Sequence, residues 1–452
     1  MLCARILTPP EEQALDLAHW LDRSVAEAAA WAADFGPAVH PARPAPPGPS
    51  VQWIDDETFA AAFEALTDRL RRGRPVFHPR FVVGPERPAH PAAVVGHVAA
   101  ALAGEDAYPD LAEEVLAQLA AMLGVPGAAG RLAVSSAAAH LDALCVGREA
   151  RPGQGVAYAA GREGTLGRLC RALGVPGRAV RVDGLGRIDV GALEDAVRDG
   201  DIGTVVLTAG APETGAVDPI HEVIPLRERY GVRVHVDASY GGFFALLAAQ
   251  RDGRGGVRPE PWAALAACDS IVVDAHRHAL QPAGCAAVFF TDPADAAEAG
   301  VADPPGGAAV AALWLTFRVL PPTRDGLGRL LAVTRRAATR WAALIRRSPQ
   351  LVLHQPPELD VVTCLPAVGE VSALDRAVLR MVRDGAAAIA DPVYLGTIRL
   401  VRERLAARHP GLRIDAAGAR IVRAVLLRPE TAAAVDVLHR RVELLAAAAL
   451  RA

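Results

Sequence analysis

The segment Asp274-Ala275-His276-Arg277-His278 places two imidazoles on either side of a guanidinium. An imidazole gains and loses a proton near neutral pH, and a guanidinium binds carboxylate or phosphate through its planar fork. His276 and His278 are therefore candidate acid/base groups, with packing or anion binding as the alternative. Arg277 reads either as an anion-binding group or as a filler that pairs with Glu163 or Asp237. Glu163, in Gly161-Arg162-Glu163-Gly164-Thr165, reads as a general base or as the partner of that arginine. Asp237 follows the β-rich strand Val232 to Val236 and is followed by Ala238, Ser239 and, after Tyr240, two glycines, beside which another group can approach the backbone. Ser135 and Ser136 precede a helix start whose free N–H groups can hold an anion. His140 reads as a satisfied polar residue at that helix start, and Arg428 as an exposed residue or an anion binder. Spacing such as HExxH is absent, so no metal site is expected.

One chemical group is missing altogether. The 452 residues contain no lysine and no asparagine, so all 48 residues of the Lys+Arg count are arginines. Codon bias accounts for this at the surface, but guanidinium stays protonated and cannot replace an amine nucleophile. The one amine left is the α-amino group of Met1. A formal net charge of −3, with arginines alternating with acids, gives no reason to expect nucleic acid or an acidic membrane as a partner. The six cysteines are scattered without a CxxC pair, which fits reduced thiols. No apolar run approaches the ~18 residues of a membrane-spanning helix. A cytoplasmic protein is expected.

The elements that must position these residues follow from hydrophobic periodicity. Helices are expected at Pro10 to Ala33, Asp56 to Arg71 and Ala112 to Gly124, with a Pro-rich linker or arm from Gly36 to Pro49. Short apolar strands then alternate with helices. The strands lie at Gly155 to Tyr158, Ala179 to Val182, Thr204 to Leu207, Val232 to Val236, Ser270 to Val273 and Ala286 to Phe290. Buried strands alternating with helices predict a largely parallel sheet, with ligands at the carboxyl ends of its strands. Helices at Ala308 to Leu320, Val333 to Arg347, Ala373 to Asp384 and Ala432 to Ala449 interleave with strands at Leu351 to Leu353, Asp360 to Cys364 and Ile421 to Leu427, predicting a smaller α+β unit.

The blocks Thr208 to Ile220, Val234 to Gly242 and Asp274 to Cys285, in that order and spacing, resemble the group II pyridoxal-phosphate (PLP) amino-acid decarboxylases of fold type I. His78-Pro79-Arg80-Phe81, Gly186-Arg187-Ile188-Asp189, Leu313 to Arg318 and Leu427 to Thr431 extend the resemblance over nearly the whole chain. It implies an α/β, PLP-transferase-like fold with a mainly parallel seven-stranded sheet. The expected division is an N-terminal helical arm used in dimerisation over 1–75, a large domain over 76–305 and a small C-terminal α+β domain over 306–452. It also implies a homodimer, because the family builds its site at a subunit boundary. By resemblance, Asp237 pairs with the pyridinium nitrogen, Ser239 lies against one ring face, Thr208 stands near the ring, and His276, Ser135 and Ser136 face the phosphate.

The same alignment places Arg277 where the family carries the lysine of the internal aldimine. Glu163 replaces the ring-stacking histidine, Ala133 to Leu141 replaces a glycine-rich phosphate cradle, and Thr291 to Leu313 lacks the tyrosine of the family's mobile loop. No covalent cofactor link to a side chain is expected. The function expected is acid/base or electrostatic catalysis, without an internal aldimine, on a small amino-acid-derived or anionic substrate. Two alternatives stand beside it: an enzyme using non-covalently bound PLP or pyridoxamine phosphate for carboxy-lyase or other amino-acid chemistry, and a non-catalytic homologue that binds or regulates a partner.

Overall fold

The computed structural model describes residues 16–34, 56–84, 86–104, 108–248 and 256–451. The Pro-rich stretch 36–49, the first residues of the expected N-terminal helix and Cys3 lie outside the described residues; that helix is described over Leu17–Asp34.

Twelve strands are described: β1 (Phe81–Val82), β2 (Ala129–Ala133), β3 (Gly155–Ala159), β4 (Gly177–Val180), β5 (Ile202–Thr208), β6 (Arg233–Asp237), β7 (Ser270–Asp274), β8 (Ala286–Phe290), β9 (Leu351–Gln355), β10 (Val361–Pro366), β11 (Tyr394–Val401) and β12 (Gly418–Val425). Seven of them form the expected mainly parallel sheet, in the order β2-β8-β7-β6-β5-β3-β4. Only β8 runs against its neighbours. Every residue of β3, β5, β7 and β8 is buried, because helices cover both faces and leave no side for polar residues. Since β2 opposes β8 and β8 opposes β7, β2 runs with the parallel set. The segments after β2, β3, β5, β6 and β7 therefore emerge at one edge of the sheet, and with the strand ends they carry the candidate site residues named above except Arg428, which follows β12 of the second sheet.

The second sheet has the order β1-β11-β12-β10-β9 and its own core, in which Val82, Trp341, Val362, Leu395, Ile421 and Leu438 are buried together. β1 falls inside the range expected for the large domain, yet it pairs in parallel with β11. The chain thus enters the second sheet before it builds the first. β11 itself was not expected, since polar Thr397 and Arg399 interrupt its apolar residues and Gly396 lies within it. The helix Pro91–Ala103 also escapes a periodicity search, because apolar residues surround it on most faces. Its Gly96 packs directly on the helix Gly307–Val319, where an added Cβ would lie 2.9 Å from the Ala311 carbonyl oxygen. The expected helix at Val333 begins earlier, at Leu327, directly after Gly326.

Candidate functional site

Each functional segment is fixed at the sheet edge by a local device. Ser135, in extended backbone, caps the helix Ser136–Ala150, its Oγ accepting from the Ala138 N–H at 3.2 Å. Asp274 caps the short helix Ala275–His278 in the same way, accepting from the His276 N–H at 3.0 Å. After β6 the chain turns tightly against β5: the Gly241 N–H donates to the Ala209 carbonyl at 2.8 Å, and a Cβ on Gly241 would sit 2.2 Å from that oxygen. Thr208 is buried at the end of β5, its N–H bonded to Asp218 Oδ2 at 2.7 Å.

Asp237, at the end of β6, has both carboxylate oxygens engaged. Arg162 Nη2 donates to Oδ2 at 2.7 Å, while His140 Nε2 lies 3.3 Å from Oδ1, which also accepts from the Ser239 N–H at 3.1 Å. Burial alone would raise this carboxyl, but His140 and Arg162 outweigh it and hold it well below the usual carboxylate range. The polar chain continues inward: His140 Nδ1 meets His235 Nε2 at 2.8 Å, and His235 Nδ1 meets Ser270 Oγ at 2.8 Å. His140 is thus a satisfied polar residue. Ser239 Oγ completes the cluster, 3.4 Å from His140 Nε2.

Arg277 does not pair with Asp237 or with Glu163, contrary to the filler reading. Among the described residues no carboxylate lies within ion-pair distance of it. Its guanidinium carbon stands 5.8 Å from the centroid of the Tyr240 ring, and the side chain is half-buried. Beside it, His276 is also partly exposed, with Nδ1 3.4 Å from Asp274 Oδ1. Burial would raise the Asp274 carboxyl, yet hydrogen bonds from His276 and the charge of Arg277 hold it below its ordinary value. Glu163 is exposed and turns back to accept from the Gly161 N–H at 2.9 Å, away from Arg277.

His278 departs furthest from its expected role. It is sealed in the interior, Nε2 3.1 Å from Asp360 Oδ2, with the rings of Tyr240 and Phe244 packed edge-on at 4.8 and 5.1 Å. The Tyr240 hydroxyl donates to the other oxygen of Asp360 at 2.6 Å. Burial, and then the Asp360 charge, push the Tyr240 phenol well above its usual value, so it stays neutral beneath Arg277. Asp360 immediately precedes β10, so this hub ties the site edge of the first sheet to the second. Arg428 is buried rather than exposed, donating to the Val76 and His78 carbonyls. A cavity of about 330 Å³, lined in part by Arg187, Arg258, Trp262, Arg335 and Glu358, shares no lining residue with this cluster.

Sequence reasoning missed Arg162 and Asp360. Arg162 is one of 48 arginines, and its one signal is that a buried aspartate needs a cation. No spacing links Asp360 to His278, 82 residues away.

Comparison with known proteins agrees with this fold. Residues 154–304 match the pyridoxal-dependent decarboxylase conserved domain. The L-2,4-diaminobutyrate decarboxylase of Rhizobium meliloti is 29% identical over 339 residues, covering 64% of this chain and 67% of the relative. The glutamate decarboxylase domain of a Vibrio parahaemolyticus diaminobutyrate-pyruvate transaminase and L-2,4-diaminobutyrate decarboxylase superposes with a TM-score of 0.72 at 15% identity, over 98% of both chains. Oryza sativa TDC, solved with PLP, gives 0.71 at 16% identity, over 97% of this chain and 99% of that one.

The family binds PLP, but the residues here do not fit it in the family's manner. Arg277 offers no amine for an imine, and the Asp237 carboxylate that would face the ring nitrogen already holds Arg162. Glu163, which the sequence resemblance sets where the family has its stacking histidine, turns back to accept from the Gly161 N–H. Over residues 154–304 the chain nevertheless matches the pyridoxal-dependent decarboxylase conserved domain, and as a whole it has the fold of these decarboxylase structures.

Proposed function

We propose that the protein uses the decarboxylase cleft without an internal aldimine, binding a small anionic or amino-acid-derived substrate through Arg277 and moving protons with His276. One observation carries this reading. Arg277 is a half-buried cation without a carboxylate partner among the described residues, seated over the ring of a neutral tyrosine. A guanidinium so placed is a ready carboxylate receptor, because the ligand supplies the charge the protein leaves unmatched. His276 stands next to it in the chain. Asp274 holds its Nδ1, leaving Nε2 as the ring atom that exchanges a proton with the bound ligand. Ser136 and the free N–H groups at the start of the helix Ser136–Ala150 add a second electropositive wall on the same edge.

The protein is proposed to act as a homodimer. The helix Asp56–Arg71 carries Phe59, Phe63, Leu66 and Leu70 at helical spacing, all exposed on the single chain, an apolar stripe that suits a subunit contact. Among the described residues no helix is long and apolar enough to cross a membrane.

Calorimetric titration with a panel of L-amino acids and short dicarboxylates tests the reading. At least one should bind saturably, and Arg277→Gln should weaken it by about tenfold to a hundredfold, the loss of a charge-assisted hydrogen bond. His276→Gln should leave that affinity nearly intact while abolishing any turnover the panel reveals. Equal affinity in wild type and Arg277→Gln would contradict the assignment. Saturable binding of none of the panel would instead favour the non-catalytic partner reading.

A further inference from the structure

We propose that Arg162 is a built-in occupant of the ring-nitrogen position, a guanidinium carried by the chain itself that takes the place of a pyridinium on Asp237 and so excludes PLP from the cleft. The loss of the lysine removes only the covalent link; Arg162 removes the recognition.

The geometry is that of a closed pair. Arg162 Nη2 and Asp237 Oδ2 are 2.7 Å apart, and the two side chains keep 10% and 9% of their surface exposed. Oδ1 of the same carboxylate is shared by His140 and the Ser239 N–H, so neither oxygen is left without a donor. Arg162 Nε is buried and has no acceptor, which leaves Asp237 as the group that holds this guanidinium. A protonated ring nitrogen could reach Asp237 only by displacing Arg162, and the displaced cation would leave its one ion-pair partner among the described residues from a nearly buried position. Breaking a buried pair by removing one partner is among the costlier changes a protein can undergo.

The loop that carries Arg162 explains how the swap is built. Gly161, in the left-handed region at φ 98°, begins the turn after β3, and Glu163 accepts the Gly161 N–H at 2.9 Å. That bond folds the Glu163 carboxylate back onto its own turn while the side chain before it reaches Asp237. The two residues of the loop thus divide the work: one clears the ring face, the other fills the nitrogen position. What remains at this edge of the sheet is a neutral Arg162–Asp237 pair and an Arg277 without a carboxylate partner among the described residues, suited to an acyclic anion and not to a protonated heteroaromatic ring. The inference concerns Arg162 alone and stands whether or not Arg277 proves to be the substrate receptor.

The test uses 4′-deoxypyridoxine 5′-phosphate, which keeps the ring nitrogen and phosphate but lacks the aldehyde, so that imine formation plays no part. By calorimetry, Arg162→Thr should bind this probe at least about tenfold more tightly than wild type, and Arg277→Lys alone should not. With PLP itself, Arg162→Thr/Arg277→Lys should give a yellow, borohydride-trappable adduct at residue 277 at least about tenfold more tightly than Arg277→Lys does. Because the chain has no other lysine, the adduct is assigned without ambiguity by peptide mass. Equal probe affinity in wild type and Arg162→Thr, with near-ultraviolet circular dichroism unchanged, would overturn the proposal. Should Arg162→Thr fail to fold, Arg162→Gln, which keeps a donor toward Asp237 but not the charge, replaces it in both arms under the same criteria.

Discussion

Asp360→Ala is expected to destabilise the protein by about 3–5 kcal/mol and to weaken anion binding in whatever remains folded. Asp360 is fully buried and accepts from two buried groups at once, the Tyr240 hydroxyl at 2.6 Å and His278 Nε2 at 3.1 Å. Its removal leaves both donors without partners in a site that water does not reach, and His278 Nδ1 already lacks one. Such a loss is a large part of the 5–15 kcal/mol that typically separates folded from unfolded chains. The functional effect follows from position. Tyr240 carries Arg277 on its ring face, so a tyrosine released from Asp360 no longer presents that guanidinium in one place. Urea unfolding of Asp360→Ala, beside the conservative Asp360→Asn, measures the first effect. A change below about 1 kcal/mol, inside the range of ordinary surface substitutions, would show that the hub does not hold the two sheets together.

Acid should weaken the fold well above the range in which carboxylates titrate. Burial, and then the neighbouring His140, lower the His235 imidazole to about 3; burial, and then His409, lower His354 to about 3. In the unfolded chain both return to about 6.5. Below that pH the unfolded chain takes up protons that the fold refuses. The stabilisation is therefore complete above about pH 6.5 and is lost as pH falls toward 3. At pH 4.5 the two histidines together remove about 5 kcal/mol. Asp218 acts in the opposite sense: burial raises its carboxyl to about 6, so the fold binds that proton more readily, returning about 2 kcal/mol at the same pH. From these three groups the expectation is a loss of about 3 kcal/mol between pH 7 and 4.5, read from denaturant midpoints, and His90, which burial and then Arg87 lower to about 4, adds a further loss in the same direction. His354→Gln should remove about half of the contribution of His235 and His354. A flat profile over this range would mean that these imidazoles accept protons without unfolding.

How far the sequence discloses this molecule depends on whether a feature is local. The strands β3, β5, β7 and β8 stand out because strands buried on both faces are nearly continuous apolar runs, and the turn after Asp237 declares itself through its small residues. β11 does not, because it is an amphipathic strand whose pairing with β12 is decided by tertiary context. The same division holds for the site. Asp237, His276 and Arg277 were legible from their place after strands. The partner of Asp237 was not: the sequence offered Arg277, whereas the folded chain supplies Arg162 from the loop after β3. His278 looked equivalent to His276 in spacing, yet the turn of the short helix directs one to the open edge and the other onto Asp360. Alternation along a helix decides exposure, and a two-residue spacing puts neighbours on different faces.

The proposed cleft keeps the fold of the decarboxylase relatives without their covalent chemistry. Its most direct test is an absorbance titration of the wild-type protein with PLP, followed by borohydride reduction and mass analysis. The prediction is no saturable new visible band and no adduct on any internal residue, while an amino-acid or dicarboxylate ligand still binds in an Arg277-dependent way. A saturable yellow complex, formed by the wild-type chain with Arg162 and Arg277 in place, would contradict it.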